Sequence, residues 1–297
     1  MSVISIGTFD GLHLGHRKLL QRITHLAKEL GLSSVVITYR DHPAFTLNAT
    51  APPRMLCPAS IKQKEMQRLG IQHVELLEFT PQLAATDAMD FLRNYIIEKW
   101  HPKYIVVGYD SHFGAGRQGN RAFLEAHSAE YGYQIDFVEP LLYKERPVSS
   151  RLIRELLQYG DLQLANELLG RPYSLSGKVV AGISRGRGFG FPTANLGLDN
   201  IHQLIPADGI YFSRVHISAG VFFGLTNIGK SPTVKHTGLT EIETYILGFD
   251  GDLYDAEMHV DLLKYLREEK LFANTDELVL AMQGDLAIAK RLIGEYS

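Results

Sequence analysis

Gly7-Thr8-Phe9-Asp10-Gly11-Leu12-His13-Leu14-Gly15-His16 decides the fold of the first half of the chain. It follows a short apolar run, Val3-Ile4-Ser5-Ile6. It leads into Leu19, Leu20, Ile23, Leu26, Ala27 and Leu30, which recur at helical spacing. A strand, a glycine-bearing turn and a helix in that order aim backbone amides and the positive end of the helix dipole at the turn. Gly11 and Gly15 permit tight geometry and close approach of a ligand. His13 and His16 project from the same turn. A phosphate fits such a place. A helix end offers only about half a positive charge, whereas a nucleoside triphosphate carries about four negative ones. The histidines, a basic side chain and a metal ion are expected to supply the remainder.

Outward from this turn, strands and helices alternate. Gly31 ends the first helix, and Ser34-Val-Val-Ile-Thr38 is a β-branched run that reads as a buried strand. Further helices are expected over 60–69, 86–98 and 120–131, and strands over 73–77, 104–107 and 134–138. This rhythm implies a mainly parallel, doubly wound sheet. Near residue 150 the pattern changes. Two helices, 149–159 and 161–169, meet at Gly160-Asp161, and Gly170-Arg-Pro172 breaks the helical pattern. Short strands then follow at about 177–181, 209–217, 221–228, 241–248 and 256–263, which suits an antiparallel barrel or sandwich. A last helix starts near Asn274, with Glu277 placed as in a capping box and Leu278, Met282 and Leu286 on its apolar face. The expected domains are 1–157 and 171–297, joined by a linker at 158–170.

Bulk properties narrow the partners. The 297 residues carry a net charge of −3, with basic residues spread along the chain, so bulk electrostatics makes no case for nucleic acid or an anionic membrane. The single cysteine, Cys57, cannot form an internal disulfide. No apolar run approaches the length of a bilayer span, and the first residues read as a strand rather than a signal peptide. A cytoplasmic protein is expected.

A second chemical string lies in the latter half. Gly182-Ile-Ser-Arg-Gly-Arg-Gly-Phe-Gly-Phe-Pro-Thr-Ala-Asn195 combines four glycines with two arginines, a loop able to wrap phosphates. Pro192 fixes the local backbone. Thr193 and Asn195 offer hard oxygen ligands that suit Mg²⁺ and an ATP phosphate. On the strand expected at 241–248, Glu241, Glu243 and Tyr245 share one face. A carboxylate there is suited to taking the proton of an attacking hydroxyl. Arg267-Glu-Glu-Lys-Leu-Phe272 reads either as a ligand clamp or as a charged helix start. In the first half, Val148-Ser-Ser-Arg-Leu-Ile-Arg154 offers Ser149 and Ser150 as helix caps and Arg154 as a triphosphate partner. Asp110-Ser-His-Phe-Gly114 and Asp41-His-Pro43 fall just after expected strands, at the edge where open α/β sheets bind ligands.

His13-Leu-Gly-His16 resembles the H-x-G-H signature of nucleotidylyltransferases. Taken with Val148–Arg154, Leu169–Tyr173, Gly182–Asn195, Asn227-Ile-Gly229 with Pro232-Thr233, and Arg267-x-Glu269-x-x-Phe272, the chain resembles the prokaryotic bifunctional riboflavin kinase/FMN adenylyltransferase family over nearly its whole length. The resemblance implies a Rossmann-like nucleotidylyltransferase domain that makes FAD and a six-stranded antiparallel β-barrel flavokinase with a terminal helix. It implies riboflavin, FMN and ATP as substrates and Mg²⁺ as the metal; weak self-association is left open. It assigns His13, His16 and Glu243 to catalysis. Gly7, Phe9, Asp10, Gly15, Ser149, Ser150, Arg154, Gly182, Arg187, Gly190, Pro192, Thr193 and Asn195 go to ATP and its phosphates, Thr193 and Asn195 also holding the metal. Asp110, Arg267, Glu269 and Phe272 go to the flavin. Ser111, where the family has an aromatic residue, and Arg151, where it has Ser or Thr, motivate a second reading: a riboflavin kinase whose first domain is weak or regulatory.

Overall fold

The computed structural model describes residues 1–47, 50, 52–181, 192–230, 240–270, 272 and 274–296. Internal contacts divide the chain into Met1–Ser150 and Arg151–Ser297.

The first unit runs β1 (Ser2–Ile6), α1 (Leu14–Leu30), β2 (Ser33–Tyr39), α2 (Ala44–Leu47), α3 (Ala59–Arg68), β3 (His73–Leu77), α4 (Pro81–Ala85), α5 (Ala88–Phe91), α6 (Glu98–Trp100), β4 (Pro102–Gly108), α7 (Arg121–Tyr131), β5 (Gln134–Val138), β6 (Leu142–Tyr143) and β7 (Arg146–Pro147). The first five strands form one parallel sheet in the order β3-β2-β1-β4-β5. The chain winds outward from β1 to β3 and then resumes on the other side at β4. The strand order therefore reverses between β1 and β4, and the crevice beyond their carboxyl ends is where such sheets take ligands.

Central β1 is buried along its whole length, as a parallel strand covered on both faces must be. Alternation sends Val3 to a core with Leu20, Ile23 and Leu26 of α1. Ile4 and Ile6 go to the opposite core with Phe91, Leu92 and Leu124. The apolar stripe of α1 is thus what seats its N-terminus at the end of β1. The helix expected over 86–98 is broken into α5, a π-helical turn at Leu92–Ile97, and α6. The wider turn buries Leu92 and Ile96 while Arg93 and Asn94 stay outside. The β6–β7 hairpin gave no sequence signal, because Lys144 and Glu145 rather than Asn-Gly take the positive φ angles of its turn, 46° and 63°.

The second unit contains α8 (Ser150–Gln158), apart from its first residue, then α9 (Leu162–Leu169), β8 (Tyr173–Val180), β9 (Thr193–Leu198), β10 (Gly209–Ile217), β11 (Gly220–Lys230), β12 (Thr240–Ile246), β13 (Glu257–Arg267) and α10 (Thr275–Tyr296). Strands β8 to β13 close into an antiparallel barrel, β10-β11-β12-β9-β8-β13, which resolves the choice between barrel and sandwich. Asp161 caps α9 and Gly170 ends it in the left-handed conformation. This helix falls inside the stretch expected as a linker, and it packs on the barrel: Asn166 Nδ2 donates to the Leu262 carbonyl (2.9 Å) and its Oδ1 accepts from the Tyr173 amide (2.7 Å). Inside the barrel, Ser213, Thr226 and Thr244 are fully buried and satisfy one another through hydroxyl contacts of 2.7 and 3.0 Å. Phe212 and Leu263 on the outer wall receive Ala289 and Leu292 of α10.

Leu20 is fully buried between α1 and the sheet. Leu20→Ala is expected to cost the first unit about 2–5 kcal/mol. Urea unfolding followed by a probe in each unit is expected to show the first-unit transition moving to lower urea with the barrel transition unchanged.

Candidate active sites

In the first unit the crossing from β1 to α1 is held from several sides. The Gly7 amide donates to the Ile37 carbonyl (3.1 Å). The Thr8 carbonyl accepts from Thr38 Oγ1 (3.0 Å) and from Lys62 Nζ (3.1 Å). Buried Asp10 turns its carboxylate onto the amides of Leu56 (2.9 and 3.1 Å) and Cys57 (3.2 Å), and its own carbonyl accepts from Ser150 Oγ (2.8 Å). Phe9 and Leu12 both sit at φ 49°.

This frame sets the two histidines. His13 is the N-cap of α1, and its Nδ1 accepts from the His16 amide (3.3 Å). The neutral His13 ring therefore carries its proton on Nε2. The two imidazoles stack with centroids 3.7 Å apart and 17° between planes, and the Phe9 ring meets His16 edge-on at 5.2 Å. Gly15 makes room for the pair: a Cβ there would stand 3.2 Å from the His13 ring and from the Val148 carbonyl. Burial first, then His13 and Lys62, hold the His16 imidazolium well below 6.5, so His16 is neutral at pH 7. Its Nδ1 is buried and has no hydrogen-bond partner among the described residues. A neutral ring with an unsatisfied nitrogen, at a helix N-terminus and at the strand-order reversal, is fitted to an incoming polar ligand.

The other expected residues of this half fall as follows. Asp110 is exposed in the loop after β4. Ser111 accepts the Gly108 amide (2.9 Å), so the residue that departs from the family's aromatic closes the turn after β4. Arg151 pairs with Glu155 along α8 (3.0 Å). Ser149 and Ser150 belong to the first unit, and Arg154 on α8 to the second. A groove of about 780 Å³ is lined by Lys18, Arg22 and Lys28 of α1 and by Phe137, among others. Two of its cations are already engaged, Arg22 by Asp136 (2.6 Å) and Lys18 by the Glu139 carbonyl (2.9 Å).

In the second unit, strand register assembles the site. Asn195 of β9 stands abreast of Glu243 of β12, which stands abreast of Asn227 of β11; Thr193 is abreast of Tyr245. Directly opposed residues lie about 5 Å apart and share a face. Thr193, Asn195 and Glu243 therefore converge on one side of the wall. A cavity of about 450 Å³ is lined by Pro192, Thr193, Asn195, Phe249, Asp252 and Tyr254, among others. Gly182, Arg187 and Gly190, together with Pro232 and Thr233, lie outside the described residues.

The clamp segment reaches the same wall. Glu269 Oε1 accepts from Asn227 Nδ2 (3.3 Å), and its carboxylate occupies the space a side chain would need at Gly229. Arg267 forms a bidentate pair with Asp285 of α10 (2.9 and 2.7 Å), and its guanidinium lies 6.0 Å from the Phe272 ring. The donors at Thr193, Asn195 and Glu243 are hydroxyl, amide and carboxylate oxygens, the set that suits Mg²⁺ when phosphates complete the shell. Among the described residues no group of three or more His, Cys, Asp and Glu is arranged to hold a metal by itself.

Sequence reasoning missed Lys62 and Asp285. A lysine in an amphipathic helix ordinarily reads as solvated. The available signal was spacing: Lys62 falls one turn from Met66, and these two are the buried residues of α3. Asp285 had no such signal, since its partner lies across the barrel wall on another element.

Comparison with known proteins bears on both halves. Residues 1–152 match the family described as FAD synthetase, and residues 169–293 the family described as riboflavin kinase. The bifunctional riboflavin kinase/FMN adenylyltransferase of Pseudomonas fluorescens is 34% identical, over 98% of this chain and 92% of that protein. The enzyme of the same description from Bacillus subtilis is 33% identical, over 96% and 90%. A crystal structure of a protein described as a macrolide-efflux protein from Streptococcus pneumoniae is 29% identical, with a TM-score of 0.87, covering 97% of this chain and 94% of that one. In this chain no described helix is long and apolar enough to cross a membrane.

The half-buried, neutral His16 carries a pH signature. Its folded pKa is depressed, so the unfolded chain takes up a proton that the folded unit refuses once the pH falls below 6.5. First-unit stability is expected to fall from pH 7 towards pH 5. His16→Gln, which does not titrate, is expected to flatten that slope in urea unfolding measured across the same range.

Proposed function

The chain belongs to the bifunctional riboflavin kinase/FMN adenylyltransferase family, and from that premise we propose how its own residues divide the two reactions, FMN formation in the barrel and FAD formation at the paired imidazoles. Riboflavin, FMN and ATP are the substrates. Everything turns on geometry and charge, since neither step requires a covalent enzyme intermediate.

In the barrel, Glu243 takes the proton of the terminal ribityl hydroxyl as that oxygen bonds to the γ-phosphorus of ATP and the bond to the β-phosphate oxygen breaks. Thr193 and Asn195 would hold Mg²⁺ beside the phosphates. When bound, the ion neutralises charge that builds on the transferring group. Arg267, Glu269 and Phe272 border the flavin, with Asp285 fixing Arg267. What carries this assignment is the register that sets Asn195 and Glu243 abreast with Thr193 on the same face.

In the first unit, an FMN phosphate oxygen attacks the α-phosphorus of a second ATP, and the bond to the β-phosphate oxygen breaks to release pyrophosphate. No net proton transfer is required. His13, through Nε2–H, and neutral His16 donate hydrogen bonds to the non-bridging oxygens of the α-phosphate as charge accumulates there. The amides at the start of α1 add their dipole. The unpartnered, buried nitrogen of His16 supports this reading.

Separate assays of the two steps test the division. Glu243→Gln is expected to abolish FMN formation from riboflavin by a factor of about 10² or more while FAD formation from supplied FMN persists. His16→Ala is expected to do the reverse. Normal FMN output from the first variant, or unchanged FAD output from the second, overturns the assignment concerned.

A further inference from the structure

Lys62 is a buried basic side chain that braces the crossing carrying the paired imidazoles. It is only 2% exposed, and its Nζ donates to the carbonyls of Tyr39 (2.6 Å) and Thr8 (3.1 Å). These acceptors lie at the end of β2 and at the start of the crossing from β1. Both are neutral. Among the described residues no carboxylate comes within ion-pair distance of Lys62, and two of its three N–H groups are used. A buried ammonium is costly unless opposite charge arrives to meet it. Two carbonyls compensate it only in part, and its charge is felt by His16, whose Nδ1 is buried and has no hydrogen-bond partner among the described residues.

We propose that Lys62 is a positioning residue for adenylyl transfer: it ties together the two strand ends that carry the histidine turn, and it keeps a fixed positive charge within electrostatic reach of the paired imidazoles, ready for the α-phosphate. The inference rests on the assignment of FAD formation to the first unit. The groups around it set the sign of the effect. His16 faces His13 from the cap of α1, the Phe9 ring from the crossing, and Lys62 from α3. Burial lowers the Lys62 pKa from its ordinary value of 10.5, and the charges of Asp10 from the crossing, Cys57 from the segment before α3 and Asp41 beyond β2 oppose that shift. A cation near His16 opposes its protonation, which keeps the ring a neutral donor. Removing that cation lets His16 take up a proton at higher pH. An Arg restores the charge; a Gln restores only hydrogen bonding.

The test uses the full chain with Lys62→Gln and Lys62→Arg. His16 titration is read by NMR on ligand-free protein labelled at histidine, with His16→Gln assigning the resonance. FAD formation from FMN is measured as kcat and KM across pH, and FMN formation from riboflavin in the same samples reports the intact barrel. In Lys62→Gln, His16 is expected to titrate at higher pH, and kcat for FAD formation to fall by about tenfold or more while the KM for FMN holds within about threefold. Lys62→Arg is expected to recover the titration and most of kcat. An unshifted His16 titration in a folded Lys62→Gln protein overturns the proposal, as does an Arg variant as impaired as the Gln variant. If Lys62→Gln fails to fold, Lys62→Arg decides: near wild-type titration and kcat support the fixed charge, and a deep loss in folded protein refutes it. Absence of FAD formation in the unmodified chain would instead sink the function assigned to the first unit, and the histidine titration would still read the electrostatic claim.

Discussion

Residues 7–13 leave the sheet before the helix begins, so their buried peptide groups need partners from outside both elements. The first unit is arranged around meeting that need. β2 supplies the Ile37 carbonyl and the Thr38 hydroxyl, the segment before α3 supplies the Leu56 and Cys57 amides, α3 supplies Lys62, and Ser150 reaches the Asp10 carbonyl. So many independent restraints allow Phe9 and Leu12 to persist at positive φ, a strain of about 1–3 kcal/mol each. The result is a turn in which two imidazoles stack face to face and one nitrogen stays unsatisfied. Asp10 illustrates the economy of the design: its carboxylate is spent on two backbone amides, so it shapes the turn that presents the histidines.

The barrel reaches an equivalent end by other means. There the register of three adjacent strands, rather than a braced turn, brings an amide, a carboxylate and a second amide into one row at Asn195, Glu243 and Asn227. Such a row is stiff because a slip of one residue would turn every member to the opposite face. The interior Ser213–Thr226–Thr244 contacts and the Asn166 brace from α9 hold the strands at that register from within and without. The terminal helix joins in through Asp285, which fixes Arg267 at the end of β13.

Much of this was legible in the residues. Val3–Ile6 followed by glycine, paired histidines and a 3.6-residue apolar stripe specified a strand, a turn and a helix, and the structure contains that unit. Alternation on 241–248 correctly grouped Glu243 with Tyr245 on one face. Short strands alone left barrel and sandwich open, because closure depends on β10 pairing with β13, a contact between segments remote in sequence. β9 begins within a string read for its phosphate chemistry. The π-helical turn at Leu92–Ile97 has no marker in local propensity. Lys62 and Asp285 were missed because charge in a helix ordinarily signals solvent; the spacing of Lys62 to Met66 was a usable clue, whereas Asp285 owes its role to a partner on a distant element.

The most direct measurement is a time course of the unmodified chain with riboflavin, ATP and Mg²⁺, the flavins being separated at intervals. The account predicts that FMN appears first and is then converted into FAD as pyrophosphate accumulates. FMN that builds up without any FAD, or flavins left unchanged, would contradict two working sites on one chain.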